Sequence, residues 1–443
     1  MKRIQGSFAI KQHGAIAVLL WALALTASIG HATGDPPGWI PRESIPIGPV
    51  GKHVRSGGAL TYSPQGQVGY VYAFKGNNTT EFYRFSVATN RWSTMESLPH
   101  VGPSGQDKKV KLGAAITCLN GKIYATKGNA TSDFFRFDPD TQGDTTQWSA
   151  LASVPTITIK DGGGLAAAPP SGVGGDTFGA IYLLKGSGTT EFWRYDIGRD
   201  TWLALSNAPY GPGGKPFKVG SSIAYDGDGH IFALKGYYNE FYRYSVANDS
   251  WSTLPSLPLV GVSGKETKAK DGAGLAVLND TAYALKGNNA NEFWRYADGA
   301  WTQVADVPLS KSGVCVKDGG ALTAGSNRLY ALKGHSTGEF YSFNPVNNDT
   351  GKHDTTKPIP FIAKVTPNPA HGATIVDYSL PHAGSAEVNL YDVAGKLVAN
   401  PSRVYEDSGP HLLWLDTRGF PRGVYILRLE SGGSSVITKL VLE

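Results

Sequence analysis

The sequence predicts an all-β chain, a ring of six repeated four-stranded units followed by a small terminal β-sandwich, and three observations lead there. A Lys-Gly pair returns six times at nearly even spacing, the composition suits short strands and tight turns, and the repeat landmarks stop near residue 360. With 56 Gly, 27 Pro, 21 Tyr, 17 Phe and 10 Trp in 443 residues, the chain favours strands and turns over long helices. Charged residues make up 17% and the formal balance is +5, too mild and too evenly spread to point to nucleic acid.

Residues 1–32 have the three parts of a secretory signal: Lys2, Arg3 and Lys11 in front, an apolar stretch from Ala15 to Ile29, then small residues ending Gly30-His31-Ala32. The mature chain is expected to begin near Thr33, with no membrane span after the signal is removed. Cys118 and Cys315 are the only cysteines and fall in distant repeats, which reads as two unpaired structural thiols.

The repeat fixes the large domain, residues 33–360. Tyr72-Ala73-Phe74-Lys75-Gly76 recurs at Tyr124–Gly128, Tyr182–Gly186, Phe232–Gly236, Tyr283–Gly287 and Tyr330–Gly334, with Lys-Gly returning after 52, 58, 50, 51 and 47 residues. An acidic residue and two aromatics follow each pair, as in Glu81-Phe82-Tyr83 and Glu292-Phe293-Trp294, and then a Trp with a Pro seven residues on, as in Trp92/Pro99. Each unit therefore reads as a Gly-rich strand, a strand ending at Lys-Gly, an aromatic strand and a Trp strand. Four such strands make one blade of a β-propeller, whose radial array protects most strand edges. The sixth unit lacks its Trp strand. Residues 38–56 supply Trp39 and Pro46 at the same spacing, so the start of the mature chain is expected to complete the last blade and close the ring. The matched Trp residues read as buried inter-blade packing, each removing ~150–250 Å² from water.

The order of Gly-rich, aromatic, aromatic and Trp strands resembles the kelch repeat. The likeness departs where kelch usually has two glycines, since Lys-Gly stands there in all six units. It implies a six-bladed kelch-like propeller. Galactose oxidase also carries a kelch propeller, but its copper site needs Tyr and His ligands and a Tyr-Cys crosslink. Cys118, in Ile116-Thr117-Cys118-Leu119, reads instead as a small buried hydrophobe.

Residues 361–443 alternate apolar and polar positions over Thr374–Tyr378, Ala386–Tyr391, His411–Leu415, Gly423–Leu429 and Ser435–Leu442, separated by turns such as Asp392-Val393-Ala394-Gly395-Lys396. That pattern predicts a small Ig-like β-sandwich. Val365-Thr366-Pro367-Asn368-Pro369, Val388-Asn389-Leu390-Tyr391-Asp392, Asp416-Thr417-Arg418, Pro421-Arg422-Gly423-Val424-Tyr425 and Lys439-Leu440-Val441 resemble the C-terminal sorting domain of the type IX secretion system. An Ig-like family from flagellar hook capping proteins has similar motifs. The first resemblance implies a partner, the outer-membrane secretion machinery of a Gram-negative-type bacterium, and a secreted or outer-surface location.

Two sets of basic residues are the candidate binding groups. Lys75, Lys127, Lys185, Lys235, Lys286 and Lys333 end the second strands beside Glu81, Asp133, Glu191, Glu240, Glu292 and Glu339. Arg55, Lys111, Lys160, Lys218, Lys270 and Lys317 precede the first strands, with Asp161, Asp271 and Asp318 after three of them. Strand order puts both sets on one loop face, as concentric charged rings. Exposed Lys-acid pairs stitch such a ring at only ~0–1 kcal/mol each. In the functional reading the inner ring holds an anionic ligand, an acidic glycan or a partner's carboxylates, because a concave low-dielectric mouth concentrates field. Tyr237-Tyr238, Asn288-Asn289, Asn77-Asn78 and His335 follow Lys-Gly and suit either sugars and peptides or tight turns. No His-Glu-x-x-His or Cys-x-x-Cys appears, and no catalytic residue, metal or cofactor is called for. The expectation is a binding scaffold at the cell surface, with a polysaccharide-active propeller enzyme and a purely structural envelope component as its rivals.

Overall fold

The computed structural model describes residues 38–64, 69–141, 146–155, 158–170, 178–309, 311–345, 361–381, 384–406 and 409–443. The expected signal segment lies outside them. Among the described residues, no helix is long and apolar enough to cross a membrane.

Every repeat unit folds as a four-stranded antiparallel sheet. The first is Ala59–Ser63, Tyr70–Phe74, Phe82–Ser86 and Arg91–Met95, paired in that order. The inner strands, which begin at the Gly-rich segments, touch one another in a closed cycle, with Ala59–Ser63 beside both Ala115–Leu119 and Ala321–Ala324. Small residues allow that approach, and the inner strands line a channel of about 300 Å³. The sixth sheet takes its outer strand from the other end of the chain: Gly38–Pro41 pairs antiparallel with Phe340–Asn344, Trp39 opposite Phe343. Trp92 stands opposite Phe85 in the same way in the first sheet.

The apolar core of the ring is divided into six clusters, each shared by two neighbouring sheets. An aromatic triad anchors every seam. Trp92 packs on Phe85 of its own sheet and on Phe340 of the preceding one, at centroid distances of 5.2 and 4.9 Å. Its indole N–H then donates to the Glu43 carbonyl of the preceding sheet's loop at 2.8 Å. The same bond runs from Trp148 to Glu96, Trp202 to Ala152, Trp251 to Ser206, Trp301 to Pro255 and Trp39 to Ala305, all at 2.7–2.9 Å. Here the sequence reading needs correction, because only Trp148 is buried and the other five are half-buried. Each indole lies at the outer rim, where one edge packs and the other faces water.

The C-terminal segment forms seven strands around one core that includes Val376, Val388, Leu390, Leu427, Leu429 and Leu440. Two of these, Ile362–His371 and Leu397–Glu406, were not expected, and both contain prolines that break the alternating pattern. Their register shifts at those places, between Thr366 and His371 in one and opposite Val388–Leu390 in the other, so the prolines sit where ladder bonding is interrupted. Past its shift, Ile362–His371 leaves Ala373–Leu380 and meets Ser434–Leu442, joining the two sheets. Several motif residues hold this corner. Asn368 donates to the Lys439 carbonyl at 2.6 Å and accepts from the Val441 N–H at 2.8 Å, while Tyr425 donates to the Pro421 carbonyl at 2.8 Å.

Candidate functional site

The two basic sets lie in very different surroundings. Lys75, Lys127, Lys235, Lys286 and Lys333 are fully buried, and Lys185 nearly so. Each pairs with the carboxylate of its own blade, at 2.8 Å for Lys75–Glu81, 3.2 Å for Lys127–Asp133, 2.5 Å for Lys185–Glu191, 2.7 Å for Lys235–Glu240, 2.6 Å for Lys286–Glu292 and 3.0 Å for Lys333–Glu339. The expected exposed outer ring is therefore corrected: these lysines are internal, out of reach of a ligand on the face. The cause is the entering loop, which in five of the blades folds over the pair and gives it main-chain partners. Lys75 donates to the Ile47 and Lys52 carbonyls at 2.5 and 2.9 Å, and Lys127 to the His100 carbonyl at 2.6 Å. Burial pushes Lys127 and Lys286 below the ordinary lysine value, against the pull of Asp133 and Glu292.

The residues after Lys-Gly turn out to be turn formers. Asn77, Asn78, Asn129, Tyr237, Asn288 and His335 all have positive φ, between 50° and 70°. Their side chains tie down the entering loops: Asn77 donates to the His53 carbonyl at 3.0 Å, Asn129 to the Lys109 carbonyl at 2.9 Å, and Ser187 accepts from the Lys160 N–H at 2.7 Å. This leaves the Asn pairs with structural work at the places where the sequence also suggested sugar contacts.

The second basic set does reach solvent. Arg55, Lys111, Lys160 and Lys218 are exposed, and Lys270 and Lys317 are half-buried. A ring of glycines places them. Gly57 has φ of +92°, and a Cβ there would lie 2.3 Å from the Lys111 carbonyl oxygen. The same contact recurs at Gly113 on Lys160, Gly162 on Lys218, Gly220 on Lys270, Gly272 on Lys317 and Gly319 on Arg55. Because only glycine fits there, the main chain of each basic residue lies against the neighbouring blade and the six form a closed circle at the channel mouth. The circle is lopsided. Arg55 pairs with Asp318 at 2.9 Å, and Lys270 stands 4.7 Å from the Tyr237 ring centroid, where the neighbouring phenol holds its pKa up. Lys111 and Lys218 have Leu112 and Val219 where three other blades have Asp.

Charge is segregated over the whole propeller. The six entering loops, residues 46–56, 99–112, 155–161, 209–219, 258–271 and 308–318, hold thirteen Lys and Arg against five Asp and Glu. Turns at the other end of the blades carry Asp138, Asp226, Asp228, Asp280 and Asp298. The sequence reading found the basic circle from its place before the glycines, but not this two-ended polarity.

The remaining candidates for chemistry are quiet. Cys118 and Cys315 are free, as read from sequence. Cys118 lines the channel, where burial pushes its thiol up to about 11, far from a reactive thiolate. Among the described residues, no group of three or more His, Cys, Asp or Glu is placed to hold a metal ion.

Comparison with known proteins adds the following. No curated protein matches the chain in sequence. The structure titled "Structure of YjhT" matches with 12% identity over 67% of this chain and 97% of that one, at a TM-score of 0.46. PorZ, described as a surface component of the type IX secretion system of Porphyromonas gingivalis, matches with 12% identity over 87% of this chain and 51% of that one, at 0.36. An auxiliary nutrient binding protein from Bacteroides thetaiotaomicron matches with 11% identity over 66% of this chain and 69% of that one, at 0.45. Nothing about ligand or activity follows from likeness at that level. Residues 364–443 match the family described as the secretion system C-terminal sorting domain, so the chain carries a type IX sorting domain and is a secreted or cell-surface protein.

Proposed function

We propose that the chain is a binding scaffold, exported with the help of residues 1–32 and 361–443, whose kelch-like propeller holds an acidic glycan on the basic loop face. One observation carries this reading: thirteen basic against five acidic residues on the entering loops, in a chain whose total balance is only +5. Arg55, Lys111, Lys160, Lys218, Lys270 and Lys317 circle a concave mouth, where low-dielectric walls strengthen the field felt by an anion. The sorting domain is the address in this reading and the propeller the cargo.

Titration of the protein with polygalacturonate, and with neutral dextran as control, tests it. Polygalacturonate is expected to bind saturably and dextran not at all. Raising salt from 50 to 300 mM is expected to weaken binding several-fold, since exposed charges are screened beyond about 8 Å at physiological salt. Combined Lys111→Ala, Lys160→Ala and Lys218→Ala changes are expected to weaken it about tenfold or more, with the melting temperature unchanged. Binding indifferent to both salt and these substitutions would overturn the reading.

A further inference from the structure

The repetition breaks at one place on the basic face. The entering loops and the turns that follow Lys-Gly contain four Phe, Tyr or Trp residues in all, Tyr210, Phe217, Tyr237 and Tyr238, and every one belongs to the fourth blade. Phe217 is buried, whereas Tyr210 is exposed and Tyr237 and Tyr238 are half-buried. The other five turns present Asn, Ser, Thr, Ala, Gly or His at these places.

The fourth turn is also one residue shorter. Five positions separate Lys235 from Glu240, where six separate the Lys and the acid in every other blade. In the longer turns the first residue after Lys-Gly donates its N–H within its own blade, as Asn77 does to the Ser56 carbonyl at 3.0 Å and Asn288 to the Asp271 carbonyl at 2.8 Å. Tyr237 donates instead to the Ala269 carbonyl of the next blade's entering loop, at 2.7 Å. Its ring follows its main chain, and the centroid lies 4.7 Å from the Lys270 Nζ. Two residues on, the buried Asn239 accepts from the Ala269 N–H at 2.7 Å. The peptide in front of Lys270 is thus clamped on both sides by the turn that carries the tyrosines, so ring and ammonium are held as one unit. Lys218 is the neighbour of Lys270 in the circle, because a Cβ on Gly220 would lie 2.5 Å from the Lys270 main chain. Tyr237 keeps a φ of +70°, a region that bulky side chains seldom occupy. Residues held in such regions cluster at binding sites, where the surroundings fix them.

A hexuronate unit offers two features to such a place: a ring face of C–H groups and a carboxylate at the ring's edge. A fixed aromatic ring beside a fixed ammonium matches both. We propose that the fourth blade carries the ring-recognising subsite of the basic mouth: one pyranose of an acidic glycan lies on Tyr237, with its carboxylate between Lys270 and Lys218. This rests on the reading of the basic face as a glycan site and adds that the sugar ring, and not its charge alone, is recognised at one blade of six.

Binding of the full chain to polygalacturonate is compared with binding to poly-L-glutamate, a polyanion with the same carboxylates and no sugar ring. The parent is expected to prefer polygalacturonate several-fold. Tyr237→Asn, which gives the fourth blade the residue of the first, is expected to bring polygalacturonate down to the level of polyglutamate without lowering the melting temperature. Tyr237→Phe keeps the ring and is expected to keep the preference. Equal binding of the two polymers by the parent, or a preference unchanged in Tyr237→Asn, would refute the subsite while the basic face stands as an anion site; binding of neither polymer would remove both.

Discussion

A lysine ammonium taken out of water needs its whole shell of acceptors replaced, and Lys127 shows how this chain does it. Asp133 lies 3.2 Å away, the His100 carbonyl 2.6 Å away, and neither charged side chain has any exposure. Removing one partner strands the other, so Lys127→Ala is expected to cost about 3–5 kcal/mol. Lys127→Met together with Asp133→Leu should recover most of it, because no buried charge then remains. Urea unfolding of the three variants measures this; a loss under 1 kcal/mol for Lys127→Ala would mean the pair behaves like a surface one. The lysines were legible as a set in the sequence, but their burial was not. Lys-Gly spacing carries no sign of a cover supplied by residues 24 to 28 positions earlier, and the only trace is the glycine two or three residues after Pro46, Pro99, Pro209 and Pro258. Asp249 works in the opposite sense. Burial alone pushes its carboxyl up, but the Ser206 N–H at 2.9 Å and the Tyr244 hydroxyl at 2.7 Å outweigh it and hold the pKa below the usual 3.8. A depressed folded-state value stabilises above the unfolded pKa and is lost as pH falls through the folded one. The seam between the third and fourth blades should therefore weaken below about pH 4. Melting temperature against pH is expected to fall less steeply between pH 4 and 2.5 in Asp249→Asn than in the parent, and parallel curves would remove Asp249 from the account.

At the scale of elements, the short strand Gly38–Pro41 does more than its length suggests. It pairs with Phe340–Asn344, packs Trp39 against Phe293 and Phe343 at 4.9 and 5.0 Å, and carries the bond to Ala305. Trp39→Ala is expected to lower stability by about 2–3 kcal/mol, the lower end of the range for aromatic truncation because the ring is only half-buried. Chemical denaturation measures it, and an unchanged midpoint would show that the ring is held without this side chain. The strand could be found in sequence because Trp39 and Pro46 keep the spacing of the other five units. The two unexpected strands of the C-terminal segment could not. Pro367, Pro369 and Pro401 look like breaks to any reading based on alternation, and only the register shows that they occupy irregular positions of strands that continue on either side.

Taken whole, the propeller is polarised, with basic loops at one end and aspartate-rich turns at the other. A field of this kind acts at a distance and orients an incoming anion before contact, so association should slow more with added salt than dissociation quickens. Stopped-flow mixing with the glycan used above measures both rates; an association rate independent of salt would show that the polarity has no part in encounter. Periodicity made the blades readable, but polarity emerges only when loops from six distant stretches are brought to one end.

Both ends of the propeller segment leave from the same place. Gly38, the first residue of the closing strand, stands opposite Asn344, the last of its partner strand. Pull applied across these two points runs perpendicular to the strands and parts their ladder one rung at a time, as a zip opens, instead of shearing all rungs together. Were the molecule tethered at a surface through its C-terminal side and tugged from its N-terminal side, the four residues of that strand would yield at low force while the other five blades bore no load.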